Sequence, residues 1–213
     1  MTKQRPLRAL FHTLLVINFL VAHEAVIAAD PAMTEANSPS PSKDPGAPGE
    51  HHQHLAALIG EWDYSMLIWN SPTSDPLELT GSSEARWTLG GRFVETYYHG
   101  DFQGRPFEGH SIDGYDNQKK KYTNVWRDNL GTYTVVSEGN CTEDGRVRTM
   151  SYQFSDPASG LTLTNENVIT VIDENTHQSE SFIKSPTGQS FKNMELRTTR
   201  RVPRRKPTEK ESD

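Results

Sequence analysis

"FEGHSIDGYDNQKKKYTNVWRD", residues 107–128, holds two alternating runs of side chains on either side of a turn rich in Asp, Asn and Lys. Because successive side chains of a strand point to opposite faces, each run has one face that mixes aromatic and polar groups and a second face that is largely polar, so neither run has a clean apolar face. A β-sandwich core requires one clean apolar face, whereas a barrel that encloses a ligand cavity tolerates a mixed one. This stretch therefore predicts a β-hairpin in the wall of a barrel with a semi-polar interior.

The same pattern extends along most of the chain. Connections that contain Gly, Pro, Asn or Asp recur at even spacing, which predicts an all-β antiparallel up-and-down meander. Closing the meander into a barrel removes its exposed edges. One short helix is expected in residues 51–60, before the first strand. The predicted strands are residues 61–69, 77–89, 92–99, 107–115, 121–128, 132–138, 147–154, 161–172, 177–184 and 189–199.

The 213-residue chain divides into four segments by composition. A basic start, an apolar run at residues 10–22 and small residues near Ala28 and Ala29 indicate a cleavable secretory signal peptide instead of an uncleaved membrane anchor. We predict a signal peptide at 1–29, a disordered Pro/Ser-rich linker at 30–49, the barrel domain at 50–200 and a disordered charged tail at 201–213.

The net charge and the cysteine content of the chain narrow the choice of cellular compartment and of binding partners. The chain carries a formal net charge of −6, and acidic residues outnumber basic ones in the folded part, which argues against nucleic-acid binding. Cys141 is the single cysteine, so the core must hold without an internal disulfide, and we interpret this thiol as inert. We expect a secreted or periplasmic protein that has no stable membrane association after cleavage, and its oligomeric state is left open.

Longer motifs resemble a known family. Residues 59–62, "IGEW", contain a Gly-x-Trp that is similar to the motif opening the first strand of calycin and lipocalin barrels. Residues 89–132, "LGGRFVETYYHGDFQGRPFEGHSIDGYDNQKKKYTNVWRDNLGT", together with "SDPASG" and "MELRTTR", resemble the bacterial family catalogued as domain of unknown function 1579. The resemblance spans residues 50–200. It implies a calycin-like barrel in a family that has no established biochemical function.

The calycin resemblance also implies roles for residues at the closed end of the barrel. In that superfamily the motif tryptophan packs across the closed end, commonly under an arginine from the last strand. Here Gly60 and Trp62 match the motif, and Arg197 or Arg200 would supply the arginine.

The acid–base residues of the opening stretch do not form one cluster on their own strand. Glu108 and His110 share one face, while Asp113 and Tyr115 share the other, so this strand cannot bring all four into one cavity. We interpret Asp116-Asn117 as a turn whose Asp side chain satisfies backbone amides.

We predict that the cavity combines aromatic walls with a polar anchor, because aromatic rings provide burial and one or two charges provide orientation. Arg92 or Glu95 is the predicted anchor; alternatively, both residues form an ion-pair network with Asp128 that fixes strand register. Which strand faces point inward is left open. The predicted ligand-binding residues are Trp87, Arg92, Phe93, Glu95, Tyr97, Tyr115, Tyr122 and Trp126.

Histidines raise two further questions about cofactors. His51, His52 and His54 have a ligand-like spacing, yet they lie beside the linker with no fixed acidic partner, so we interpret them as solvated and predict no metal site. No cofactor is predicted. His177 would be the axial ligand if the barrel held haem, as in some calycin-like haem proteins.

These observations favour an exported binding protein whose β-barrel holds a small, largely apolar molecule in its interior. Two alternatives stay open: an enzyme that uses a carboxylate, tyrosine or histidine at the barrel mouth, and a filled barrel that serves as a protein-interaction scaffold.

The signal peptide gives a first testable prediction. N-terminal sequencing of the mature protein should begin at or near Asp30, because the small residues before it fit the cleavage site. A mature protein that retains residues 1–22 would contradict the export hypothesis.

Overall fold

The computed structural model describes residues 44–157 and 159–201. Ten antiparallel strands form a closed barrel in the order β1-β10-β9-β8-β7-β6-β5-β4-β3-β2, which confirms the predicted all-β meander. A helix α1 at Glu50–Gln53 and a 3₁₀ turn at His54–Leu58 precede the first strand. The strands are β1 Gly60–Ile68, β2 Leu77–Thr88, β3 Phe93–Phe102, β4 Arg105–Asp116, β5 Lys121–Asp128, β6 Val135–Cys141, β7 Val147–Ser155, β8 Thr162–Asp173, β9 Thr176–Lys184 and β10 Ser190–Arg200.

The strands differ from the prediction around two connections, the β3–β4 turn and the β5–β6 loop. β3 and β4 extend through the expected loop, since Gln103 and Gly104 have φ values of 54° and 80° and form a tight hairpin. β6 begins later than expected. The Asp128 carboxylate accepts hydrogen bonds from the Leu130 amide (2.9 Å) and the Tyr133 hydroxyl (3.4 Å). These hydrogen bonds hold the segment between β5 and β6 in a loop.

The ends of the chain fall largely outside this description. The predicted signal peptide, residues 30–43 of the predicted linker and residues 202–213 of the predicted tail lie outside the described residues. No helix among the described residues is both long and apolar enough to cross a membrane.

The last six residues of the predicted linker contact the barrel. Asn117 Nδ2 donates hydrogen bonds to the carbonyl oxygens of Pro45 (3.0 Å) and Ala47 (3.1 Å). Arg92 Nε donates to the Gly46 carbonyl (3.0 Å). The chain that packs on the barrel therefore begins before residue 50, and Asn117 helps to anchor it.

The apolar interior is divided into two buried clusters. One cluster lies at the closed end beneath the N-terminal helix, and the other lies between β1, β2 and β4. Because β4 directs its odd-numbered residues inward, Phe107 and Asp113 face the interior whereas Glu108 faces solvent. The buried residues of the two clusters are Leu55, Ala85, Val94, Tyr122 and Met150, and Tyr64, Met66, Leu79 and Phe107.

The first and last strands are joined by a cation–π stack at the closed end. Arg200 Cζ lies 4.1 Å from the centroid of the Trp62 indole ring, well within cation–π range. The same guanidinium donates to the carbonyl oxygens of Ile59 (2.8 Å) and Glu174 (2.9 Å). Gly60 has φ +126°, and a Cβ at this position would collide with Arg200 Nη1. Glycine is therefore required where the arginine crosses the start of β1.

Strand parity explains why Arg200 takes this position. Arg200 and Thr198 share the face of β10 that points into the barrel, whereas Arg197 has the opposite parity and is exposed. Of the two arginines expected at the closed end, the structure thus places Arg200 over Trp62.

The turn predicted at the end of β4 is confirmed, and a glycine within β4 has a packing role. Asp116 Oδ1 accepts hydrogen bonds from the backbone amides of residues 118 (2.8 Å) and 119 (3.0 Å), as expected for a turn. A Cβ at Gly109 would lie 2.7 Å from the Trp126 ring, so glycine allows that ring to pack against the backbone.

The closed end yields a stability prediction. Trp62→Ala should lower the free energy of unfolding by about 3–5 kcal/mol, because it removes a large buried ring and the surface on which Arg200 stacks. Trp87→Ala is the matched control, since that ring is 37% exposed at the end of β2, and it should cost much less. Urea denaturation followed by circular dichroism measures both. Equal midpoints for Trp62→Ala and wild type would contradict the packing.

Candidate functional site

A cavity of about 310 Å³ occupies the barrel interior. Every strand contributes to its wall, which combines apolar side chains with hydroxyl, amide and charged groups. Its aromatic part centres on Trp126, whose ring lies 5.2 Å from that of Tyr98 in an edge-to-face arrangement. Trp126 Nε1 donates to Asp128 Oδ2 (2.8 Å), which fixes the indole orientation. The interior therefore offers an apolar surface with a definite shape.

Trp126 is the one member of the eight predicted ligand-binding residues that lines the cavity. Tyr115 and Tyr122 also face inward, but they pack into the closed-end cluster and help to form its floor. The hydroxyl of Tyr122 is 2.8 Å from Nδ1 of His54.

The other five predicted residues lie away from the cavity. Phe93, Glu95 and Tyr97 face outward, since β3 directs its even-numbered residues inward. Trp87 lies partly exposed at the end of β2, and Arg92 lies in the β2–β3 loop, bound to the Gly46 carbonyl. Which strand faces point inward was left open by the sequence, and the structure shows that these five residues do not lie on the cavity wall.

The predicted ion-pair network of Arg92, Glu95 and Asp128 is not formed. Glu95 instead accepts hydrogen bonds on the outer surface from the Tyr97 hydroxyl and from His110 Nε2, both at 3.0 Å. Burial is the largest single influence on the pKa of Glu95 and acts to raise it, but the two hydrogen bonds together with the charges of His110 and Arg86 outweigh burial and hold the pKa below its ordinary value.

The histidine cluster is structural, and the expectation that it is solvated is wrong for two of its members. His52 is 5% exposed, and its Nδ1 accepts a hydrogen bond of 3.0 Å from the backbone amide of Gly49. His54 bonds to Tyr122, while the exposed His51 stacks on Tyr115 with ring centroids 4.3 Å apart. Together they fasten the N-terminal helix over the barrel end.

No group of three or more His, Cys, Asp or Glu side chains within residues 44–157 and 159–201 is arranged to hold a metal ion. Cys141 packs against the closed-end cluster, and burial raises the pKa of its thiol. A raised pKa suppresses the nucleophilic thiolate, in agreement with an inert role.

Unpartnered polar atoms are the most informative feature of the cavity wall. Within the described residues, four buried atoms of cavity-lining side chains have no hydrogen-bond partner. Buried polar groups in folded proteins are almost always paired, so the concentration of these atoms in one cavity makes it the candidate functional site. The atoms are Arg148 Nε, His177 Nε2, Asn193 Oδ1 and Thr198 Oγ1.

Arg148 is the residue that the sequence reasoning missed. Its side chain is 9% exposed, and Nη1 lies 3.9 Å from Asp113 Oδ1. This separation permits Coulombic attraction but is too long for a hydrogen bond. Asp113 accepts a hydrogen bond from Ser111 at 3.2 Å. The alternation of "VRTM" places Arg148 and Met150 on one face, and the apolar Met150 could have identified that face as the inner one.

Other polar groups of the wall pair with each other across strands. Asn165 Nδ2 donates to Ser181 Oγ at 2.8 Å, and Ser181 Oγ lies 3.0 Å from Asn165 Oδ1. Ser179 Oγ donates to Asn167 Oδ1 at 2.6 Å. These pairs satisfy the Asn and Ser side chains named here, whereas His177 Nε2, also on β9, stays among the atoms without a partner.

His177 lies against the closed end. Its ring centroid is 4.3 Å from that of Trp62, and the side chain is 7% exposed. Burial and the positive charges of Arg200 and Arg148 lower the pKa of His177 from its ordinary value of 6.5 to about 4. The imidazole is therefore neutral at physiological pH, and Arg148 is the charged group of this part of the wall.

The wall is weakest between β6 and β7. β6 pairs with β7 over residues 138–141, so residues 135–137 have no partner on that side among the described strands. Val135, Ser137 and Tyr152 line the cavity beside this gap. The ladder of hydrogen bonds is therefore shortest at this point of the closed barrel.

The family assignment rests on a sequence match. A family model described as "Protein of unknown function (DUF1579)" matches residues 47–200. The chain belongs to this family. No functionally curated protein shows significant similarity to the DUF1579 chain.

Solved structures similar to this DUF1579 barrel support the lipocalin-like fold. Rv2717c from M. tuberculosis is 13% identical with a TM-score of 0.53, and the match covers 72% of this chain and 99% of that one. The S-type phycobiliprotein lyase CPES from Guillardia theta is 12% identical with a TM-score of 0.51, covering 70% of this chain and 92% of that one. At these identities the likeness concerns the fold.

The buried neutral His177 predicts a dependence of stability on pH. As pH falls from about 6.5 to about 4, the unfolded chain takes up a proton at this residue that the folded protein does not, so stability falls. His177→Gln should lose less stability than wild type over this interval. His99→Gln, at an exposed histidine, should behave as wild type. Urea unfolding at several pH values measures the difference. Parallel curves for wild type and His177→Gln would contradict a buried neutral imidazole.

Proposed function

We propose that this DUF1579 protein is exported and binds a small, largely apolar molecule inside its barrel. The observation that carries the proposal is the interior cavity, whose polar wall atoms lack partners within the described residues. A side chain that had no function in binding would be expected to find a partner in the protein, because leaving it unpaired costs about 1–3 kcal/mol.

The size and chemistry of the cavity support a small ligand. Its volume of about 310 Å³ lies at the lower end of the range of roughly 300–1,000 Å³ that is typical of ligand pockets. Trp126 and Tyr98 provide apolar contact on the side formed by β3 and β5, and the amide and hydroxyl groups of β8 and β9 line the facing side. This mixture suits a molecule with an apolar body and few polar atoms.

The gap between β6 and β7 offers a route into the cavity. Fewer backbone hydrogen bonds must open there than at any fully paired strand boundary. Entry through this gap would leave the closed end intact, where the Trp62–Arg200 stack holds the barrel together.

The two alternatives find less support. A scaffold built on a filled barrel predicts no interior cavity, whereas about 310 Å³ is present. An enzyme with a catalytic carboxylate or histidine at the barrel mouth requires such groups there. Asp113 and His177 instead lie near the closed end, and Asp113 is held by Ser111 and Arg148.

Two neighbouring residues of β6 provide a matched test. Ser137 lines the cavity, whereas Val136 faces outward and is 58% exposed. Ser137→Trp should fill the cavity and abolish binding of the neutral fluorophore N-phenyl-1-naphthylamine, while Val136→Trp should bind it as wild type does. Fluorescence titration measures both, and native mass spectrometry of protein purified without denaturant should reveal a co-purifying apolar mass.

Three results would contradict the proposal. The first is the absence of both a co-purifying mass and probe binding in wild type. The second is equal binding by Ser137→Trp and Val136→Trp, which would place the probe outside the barrel. The third is a haem absorption band in the purified protein, which would assign the cavity to haem and direct attention to His177.

A further inference from the structure

The charges at the closed end of the cavity are not balanced by hydrogen bonds. Arg148 is buried, its Nε has no partner among the described residues, and its Nη1 is 3.9 Å from the nearest carboxylate oxygen, on Asp113. A guanidinium has five N–H donors, and a buried one ordinarily meets several acceptors at hydrogen-bond distance. The site therefore provides donors for an acceptor that the protein does not supply.

A second cation lies nearby. Arg200 stacks on Trp62, which in turn packs against His177, and both Arg148 and Arg200 act electrostatically on that histidine. Asp113 is the one carboxylate among the described residues that line the cavity. Asp173, which also acts on His177, is exposed to solvent and is screened. Arg200 is not among the residues that line the cavity, and it already donates to the carbonyl oxygens of Ile59 and Glu174. Arg148 is therefore the one guanidinium of the described cavity wall, and Asp113 does not take up its N–H donors.

Neighbouring donors extend the same site. His177 and Thr198 are paired across β9 and β10, and both carry a buried polar atom without a partner among the described residues. A hydroxyl and an imidazole can each donate to an oxygen acceptor. Toward the other end of the cavity the wall becomes apolar, with Met66, Met194 and Trp126.

We propose that the ligand is an amphiphilic monoanion whose carboxylate binds Arg148 at the closed end while its apolar body extends toward Trp126. This inference rests on the proposed function and specifies the ligand class. A carboxylate matches the planar fork of a guanidinium and can accept two parallel hydrogen bonds. A dianion would place two negative charges beside Asp113, whereas Arg148 is the one permanent cation among the described residues that line the cavity.

A matched pair of probes tests the head group. Naphthalene-2-carboxylic acid is ionised at neutral pH, whereas naphthalene-2-carboxamide has the same ring and nearly the same shape but no charge. Each compound is titrated into protein that carries bound N-phenyl-1-naphthylamine, and the loss of fluorescence measures displacement of the fluorophore. Wild type should bind the acid about tenfold or more tightly than the amide, as expected for hydrogen bonds to a charged group.

Variants assign the preference to Arg148. Asp113→Asn removes the competing carboxylate and should increase the preference for the acid. The double variant Asp113→Asn/Arg148→Met removes both charges together, so no buried charge is left alone, and it should bind acid and amide equally. Arg197→Met is the control, because this arginine is exposed on the outer face of the barrel, and it should keep the wild-type preference.

The outcomes separate this inference from the proposed function. Binding of N-phenyl-1-naphthylamine with equal affinity for acid and amide in wild type would overturn the carboxylate site and leave interior binding intact. A preference that Asp113→Asn lowers would also overturn it. Absence of binding by every probe would overturn both proposals. If the double variant does not fold, the ratio of acid affinity to amide affinity, measured in wild type and in Asp113→Asn, still tests the carboxylate site.

Discussion

The stack of Arg200 on Trp62 is the interaction on which the rest of the architecture depends. It joins the first strand to the last, and the same guanidinium ties the entry of β1 to the β8–β9 turn through backbone carbonyls. An antiparallel meander that failed to close here would leave the edges of β1 and β10 exposed to other chains. Gly60 is part of the same constraint, because any side chain at that position would displace the arginine.

Closure at one end determines how the remaining interior can be filled. The N-terminal helix, fastened by His52 and His54, covers a cluster that contains Tyr122, and a second cluster fills the side formed by β1, β2 and β4. The β7–β9 side receives no comparable apolar packing. Its short polar side chains leave space, and the cavity is the result. Polar pairs such as Asn165–Ser181 satisfy each other's hydrogen bonds and so lower the free-energy cost of burying polar side chains around the cavity.

Alternation in the sequence was sufficient to predict ten strands, their order and their closure, because turn residues and strand period are local properties. It also showed correctly that Asp113 and Glu108 lie on opposite faces. It could not show which face points inward, since period two is symmetric between the two sides. For this reason Glu95 and Tyr97 were assigned to a wall that Thr96 and Tyr98 form. Arg148 was overlooked because a charged residue in a strand is ordinarily solvent-facing, and its burial depends on neighbours distant in sequence.

The incomplete β6–β7 ladder gives the molecule an uneven distribution of local stability. Elements held by few backbone hydrogen bonds open without global unfolding, and they do so far more often than the rest of a domain. In this barrel such openings would occur beside the cavity while the seam between β1 and β10 stays shut. The residence time of a bound molecule would then be governed by fluctuations of two strands, and it could change through substitutions there that leave every contact with the ligand unaltered.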